Sequence, residues 1–416
     1  MFLSKRSDIH LPENWPSYFS KSKDIYIWDL DGNKYVDFSQ MGVGTNILGY
    51  TNKKIDNAVK KIIDKGNMST LNPPEEVALS QKLLSIHPWF DMVKFCRTGG
   101  EANALAVRIA RAYTKRDNIA FCGYHGWHDW YLSSNLNNKQ NLDQHLISNL
   151  KTSGVPKKLL NTAFPFAYND YEKLNYLVKN KNIGIVKMEV IRNEKPKNNF
   201  LKKVRKLCDD NNIVLIFDEC TTGFRENYGG LHIKFKVFPD MAIFGKAIGN
   251  GYAITSILGK KNIMKYSESS FVSSTFWSER IGYVASLKTL EVMKNEKSWI
   301  KIKSVGEKIR KGWLKISKET NVQIKISGLS SLCNFYFDNK HNLILKTFMT
   351  QEMLKKGFLA STSFYPSTKH NDKDINKYLK ELKYVFSFIS KFNNDYSKLK
   401  SYLDGPVCID GIKRLN

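Results

Sequence analysis

Lys246 follows a strand-like apolar run, Met241 to Phe244, and a single glycine, Gly245, in the stretch "PDMAIFGKAIGNGYAITSILG" (239–259). An amine delivered into a protein interior is costly unless its charge is removed or used. The apolar run "IVLIF" (213–217) likewise ends on two carboxylates, Asp218 and Glu219. A carboxylate at that depth needs a cationic or proton-donating partner. After a third run, "VKFCR" (93–97), come Thr98-Gly99-Gly100-Glu101 and a helical pattern. Glycines there let backbone amides approach an anion, and a helix N-terminus adds partial positive charge. Open α/β sheets bind ligands beyond the carboxyl ends of their strands, which puts these three strand ends in one region.

Two chemistries suit the set. An ion pair between Asp218 and Lys246 needs no ligand. Alternatively both residues face an aromatic cofactor: the lysine condenses with an aldehyde as an imine, the aspartate keeps a pyridine nitrogen protonated, and the Gly99-Gly100 turn takes a phosphate. That combination describes pyridoxal phosphate. His125 and His128 form an H-x-x-H without a third ligand, which fits packing or a place near the cofactor better than a metal centre. Arg225 suits either a substrate carboxylate or a loop carboxylate, and Glu189 either the site or a structural hydrogen bond.

The elements that must position these residues can be traced. "IYIWDLDGNKYVDF" (25–38) alternates apolar and polar residues around Asp31-Gly32 and predicts a hairpin. Its D-L-D-G-N lacks the spacing and closing glutamate of a calcium loop. From about 55 to 260, apolar strand candidates that include "VKFCR", "NIAFC" (118–122), "IGIVKMEV" (183–190) and "IVLIF" alternate with amphipathic helices. In "EANALAVRIARAY" (101–113), Ala102, Leu105, Ala106, Ile109, Ala110 and Tyr113 share a face. This alternation predicts an α/β fold with a mostly parallel sheet covered on both faces. A long helix from about 279 leads into a smaller mixed region, where Ile375, Leu379, Leu382, Phe386 and Ile389 form a core-facing stripe. Residues 55–300 are expected to form a large domain, and 1–54 with 301–416 a smaller α+β domain drawn from both termini.

The 416 residues carry 65 Lys plus Arg against 39 Asp plus Glu, a net charge of +26. The lysines are scattered among asparagines and isoleucines without a dense basic block. The residue bias of an AT-rich genome therefore accounts for the charge better than a nucleic-acid partner does. Six widely spaced cysteines with no C-x-x-C pair argue against zinc or disulfides and for a reducing compartment. With no apolar run of bilayer length and no signal-peptide core at the N-terminus, a cytoplasmic protein is expected.

Taken together, "RTGGEANALAVRIARAY" (97–113), "GYHGWHDW" (123–130), "LIFDECTTGFRENYGG" (215–230) and "PDMAIFGKAIGNGY" (239–252) resemble the class III aminotransferases of the fold type I pyridoxal-phosphate enzymes, most of all their glutamate-1-semialdehyde aminomutase branch. The resemblance implies that Lys246 forms the covalent imine and moves the proton, and that Asp218 pairs with the pyridine nitrogen. It further implies that Cys220 and Tyr124 lie against the two ring faces and that Gly99 and Gly100 take the phosphate. Thr275 in "SSTFWSER" (273–280) matches a threonine that the family contributes to the neighbouring subunit's phosphate, which implies a homodimer with shared sites.

Three stretches depart from the mutase branch. Phe276-Trp277-Ser278-Glu279-Arg280 replaces a small-residue turn, Tyr365-Pro366 stands where the mutase carries a glutamate, and "GPVCIDGIKRLN" (405–416) has no counterpart. They favour an aminotransferase that moves an amine from a small-molecule donor to a carbonyl acceptor over an intramolecular aminomutase. A non-catalytic binding protein on the same scaffold is the alternative from another class, and the intact Asp218 and Lys246 speak against it.

Overall fold

The computed structural model describes residues 5–148, 150–392 and 395–410, which fall into two units. The end of the C-terminal tail, 411–416, lies outside the described residues. One unit joins the chain up to Lys53 to the segment from Lys297 onward. It begins with β1 (Phe19–Lys23), β2 (Tyr26–Asp29) and β3 (Lys34–Phe38). The turn between β2 and β3 is the expected hairpin, with Gly32 at a φ of 83° and Asp29 accepting the Asp31 and Asn33 amides.

The other unit, from Lys54 to Glu296, holds β4 (Met92–Cys96), β5 (Asn118–Cys122), β6 (Ala163–Pro165), β7 (Ile183–Met188), β8 (Val214–Asp218), β9 (Met241–Phe244) and β10 (Thr255–Gly259). Their order is β4-β10-β9-β8-β7-β5-β6. The run from β9 to β6 is parallel, whereas β10 is antiparallel to both β9 and β4. The fold is therefore α/β around a mostly parallel sheet. One sheet face, bearing Ile119, Phe121, Ile185, Ile216 and Ile243, packs on Ala102, Ala106, Ile109 and Ala110 of the helix Gly99–Thr114. Small residues along that helix let it approach the sheet closely.

In the first unit the chain continues through β11 (Ile324–Ser327), β12 (Cys333–Phe337), β13 (Phe358–Ala360) and β14 (Ser363–Phe364). β13 adds in parallel to β3, and β11-β12-β14 forms a small antiparallel sheet. The helix Asp372–Ile389 buries Ile375, Leu382, Phe386 and Ile389, with Leu379 half-buried, against a core that includes Phe38 and Trp313. No helix among the described residues is long and apolar enough to cross a membrane.

The two carboxylates that end β8 have separate duties, because successive strand residues point to opposite faces. Glu219 is buried and accepts from the amides of Leu231 (2.6 Å) and His232 (3.0 Å), from His232 Nδ1 (2.5 Å) and from Thr222 Oγ1 (3.0 Å). Burial resists its charge, but His232 and the two amides hold its carboxyl below the usual range. Glu219 thus ties the returning chain to the end of β8 and leaves Asp218 for the other side. Glu219→Ala strands these buried donors and is expected to lower stability by about 3–5 kcal/mol in urea unfolding. A loss under about 1 kcal/mol would show that the loop holds itself.

Candidate active site

Lys246 and Asp218 emerge at the ends of the adjacent parallel strands β9 and β8, with Asp218 in register with Ile243. Gly245 is extended, and Lys246 is left-handed at a φ of 45°, a strained conformation for a residue with a side chain. Lys246 Nζ donates to Thr221 Oγ1 at 2.9 Å. Asp218 is buried, with Oδ2 2.8 Å from His125 Nδ1 and Oδ1 accepting the Cys220 amide at 3.1 Å. Burial opposes its ionisation. The His125 hydrogen bond, the Lys187 charge and the Cys220 amide more than offset this and hold the carboxyl well below the ordinary range. Two of its lone pairs are used, which leaves room for another N–H donor.

The Cys220 thiol sits between two glycines: a Cβ on either Gly99 or Gly245 would stand 3.4 Å from its sulfur. Burial first, then the Asp218 charge, pushes this thiol up, so it is neutral. At the start of the helix Gly99–Thr114, Thr98 accepts the Glu101 amide at 3.3 Å, while Glu101 Oε2 accepts the amides of Arg97 (2.8 Å) and Thr98 (3.4 Å). This capping box leaves the Gly99 and Gly100 amides without an acceptor among the described residues. A Cβ on Gly126, whose φ is 99°, would lie 2.8 Å from Gly100 Cα, so only glycines let the 123–128 loop lie on this turn. Open amides at a helix N-terminus suit a phosphate, a carboxylate with spare lone pairs suits a protonated ring nitrogen, and an amine suits an aldehyde. The residues present fit pyridoxal phosphate.

Tyr124 is half-buried, edge-on to Tyr131, and gives its amide to Glu189 Oε2 at 3.4 Å. Glu189 therefore supports the loop that carries Tyr124. The two histidines of the H-x-x-H part company, since His128 stacks on Trp127 with ring centroids 4.7 Å apart while His125 turns to Asp218. Arg225 is buried and donates from Nε to the Thr221 carbonyl at 2.7 Å, which braces the residue that holds the Lys246 amine. Thr275 is exposed at the start of the turn Thr275–Ser278. Arg97 fastens that turn through the carbonyls of Phe276 (2.7 Å), Trp277 (2.8 Å) and Glu279 (2.8 Å), and Trp277 Nε1 donates to Glu101 Oε1 at 2.8 Å. Arg97, through backbone carbonyls, and the Trp277 side chain thus anchor this segment to the turn that carries the open amides, while the Phe276 side chain stays exposed.

Thr221, Arg97 and Lys187 are participants that the sequence reading passes over. Lys187 is the only charged residue inside the strand β7, and that was the available signal. Its side chain is fully buried, and its Nζ has no hydrogen-bond partner among the described residues. Burial pulls its pKa down to about 8, against the opposing pull of Asp218 and Cys220.

The class III aminotransferase family matches residues 11–386, and the chain belongs to it. Over 328 residues it is 33% identical to the 3-aminobutyryl-CoA aminotransferase of Cloacimonas acidaminovorans, a match that covers 76% of this chain and 75% of that protein. It is 32% identical over 400 residues to the glutamate-1-semialdehyde 2,1-aminomutase of Nitrosopumilus maritimus, covering 90% and 93%. The FumI protein of Sphingopyxis sp. MTA144, solved with pyridoxal phosphate, superposes with a TM-score of 0.86 at 22% identity over 96% of this chain and 95% of that one. The protein is a pyridoxal-phosphate-dependent enzyme of the aminotransferase and aminomutase kind.

The buried lysine makes stability depend on pH in a defined direction. Between pH 8 and the unfolded value of 10.5, the folded protein binds fewer protons at Lys187 than the unfolded chain does. Stability of the cofactor-free protein should therefore rise by up to about 3 kcal/mol across that window relative to Lys187→Met. Parallel pH profiles of the two proteins in denaturant unfolding would refute this.

Proposed function

We propose that Lys246 carries the cofactor and that the enzyme exchanges an amine between two substrates, a donor amine and a carbonyl acceptor. What carries the reading is the convergence of an amine after β9, a carboxylate held ionised at the end of β8 and two open helix-terminal amides after β4, with the Cys220 thiol between Gly99 and Gly245. Bound pyridoxal phosphate supplies an aldehyde that links amines covalently and a ring that takes up electron density from the substrate carbon.

The chain's own residues do the rest. The Gly99 and Gly100 amides would hold the phosphate, Cys220 and Tyr124 would flank the ring, and the Asp218 carboxylate would keep a proton on the ring nitrogen. With Lys246 released by a substrate amine, its Nζ would be the base that takes the proton from the substrate carbon and returns it to the cofactor's former aldehyde carbon, two atoms away across the linking nitrogen. Thr221 holds that Nζ within reach. A two-substrate reaction is supported by the clamped segment Phe276–Arg280, bulkier than the small-residue turn that the resemblance to the mutase branch implies.

Thr275, exposed at the tip of the same clamped segment, would reach the phosphate of a second copy, so the working form is a homodimer with shared sites. The six cysteines are buried thiols, in keeping with a reducing cytoplasm.

Lys246→Ala should remove the visible cofactor band and lower kcat by about 10³-fold or more while circular dichroism stays unchanged; Asp218→Asn should keep the band and lose about 10²-fold in kcat/KM. Normal turnover in either variant contradicts the assigned roles. A single amino donor should discharge the band of the wild-type protein, and a keto acid should restore it. Complete turnover of one substrate with no second partner would instead identify a mutase.

A further inference from the structure

We propose that Lys187 is a positioning residue of the cofactor site, a second cation behind Asp218 that competes with the cofactor for this carboxylate. The inference rests on the reading that Lys246 carries the cofactor and Asp218 faces its ring. Lys187 lies on β7 opposite Ile216 of β8 and Phe121 of β5, so it shares their sheet face. Asp218 is two residues beyond Ile216 on the same face. Strand spacings of about 4.8 Å and a rise of about 3.3 Å per residue put the two backbones roughly 8 Å apart, a span that a lysine stem covers.

The helix Gly99–Thr114 packs on the sheet face that Lys187 shares, and its buried residues, among them Ala102, Asn103 and Ala106, are uncharged. The groups acting on its charge are Asp218, the last residue of β8, and Cys220 just beyond it; the other titratable groups at these strand ends are Glu189 after β7, His125 in the loop after β5 and Lys246 after β9. No acceptor among the described residues neutralises its Nζ, and Asp218 is the first charge acting on it. A fully buried, unsatisfied amine is destabilising and has no packing advantage over methionine. Beside Asp218, however, its charge weakens the hold of the carboxylate on any other cation. It would therefore lower the proton affinity of the cofactor's ring nitrogen and of the Lys246 nitrogen bonded to the cofactor.

The test is spectroscopic and does not depend on turnover. Wild type, Lys187→Met, Lys187→Gln and Lys187→Arg are loaded with pyridoxal phosphate, and the visible band is titrated with pH. Removing the charge should raise the midpoint by at least half a unit, about a threefold gain in proton affinity. Lys187→Arg, which keeps a permanent charge, should not raise it. The Gln variant carries the same expectation as Met and keeps the test decidable if Met fails to fold.

Equal midpoints for wild type and the uncharged variants, or an arginine variant that moves with them, would overturn the proposal and leave the role of Lys246 intact. Absence of any covalent cofactor band in the wild type would instead overturn the reading on which the proposal rests.

Discussion

One buried negative charge organises the centre of the larger unit. Taking a carboxylate out of water is worth several kcal/mol against folding, and Asp218 is ionised only because His125, the Cys220 amide and Lys187 surround it. Each of these partners imposes a condition on the chain. For His125 to reach Asp218, the loop after β5 must turn back across the start of the Gly99 helix, which only glycines at Gly126 and Gly100 allow. For Asp218 to stay at the strand end, Glu219 must be gripped from the opposite side by His232 and the amides of Leu231 and His232.

The same arrangement explains why two lysines can share this interior. Lys246 stands at the strand end in a left-handed conformation, with its amine on a hydroxyl and open to covalent chemistry. Lys187 sits one step down inside the sheet and has no hydrogen-bond partner among the described residues, so on our proposal it acts on Asp218 through its charge alone. Because a low local dielectric strengthens charge interactions, the Lys187 and Asp218 charges act on each other across the sheet face they share.

Much of the sheet was legible because buried parallel strands are short apolar runs bounded by polar turns, as in "IVLIF" and "MAIF". β10 escaped because "TSILG" follows directly on a glycine-rich loop, and its antiparallel pairing with β4 and β9 depends on contacts distant in sequence. β6, three residues long, gives no periodicity. In the site, Asp218, Lys246 and the Gly99-Gly100 turn stood out because charged or flexible residues at strand ends demand a reason. The pairing of His125 with Asp218, the clamp of Arg97 on Phe276 and the grip of Thr221 on Lys246 were not legible. Each joins segments far apart in the chain through side-chain geometry that no local pattern encodes.

The central claim is that Lys246, and not the buried amine of Lys187, joins the cofactor. Borohydride reduction of the protein loaded with pyridoxal phosphate, followed by proteolysis and mass spectrometry, locates that bond directly. A single pyridoxyl group on the peptide containing Lys246 is the predicted result. A pyridoxyl group on Lys187, or none on either lysine in a protein that binds the cofactor, would contradict it.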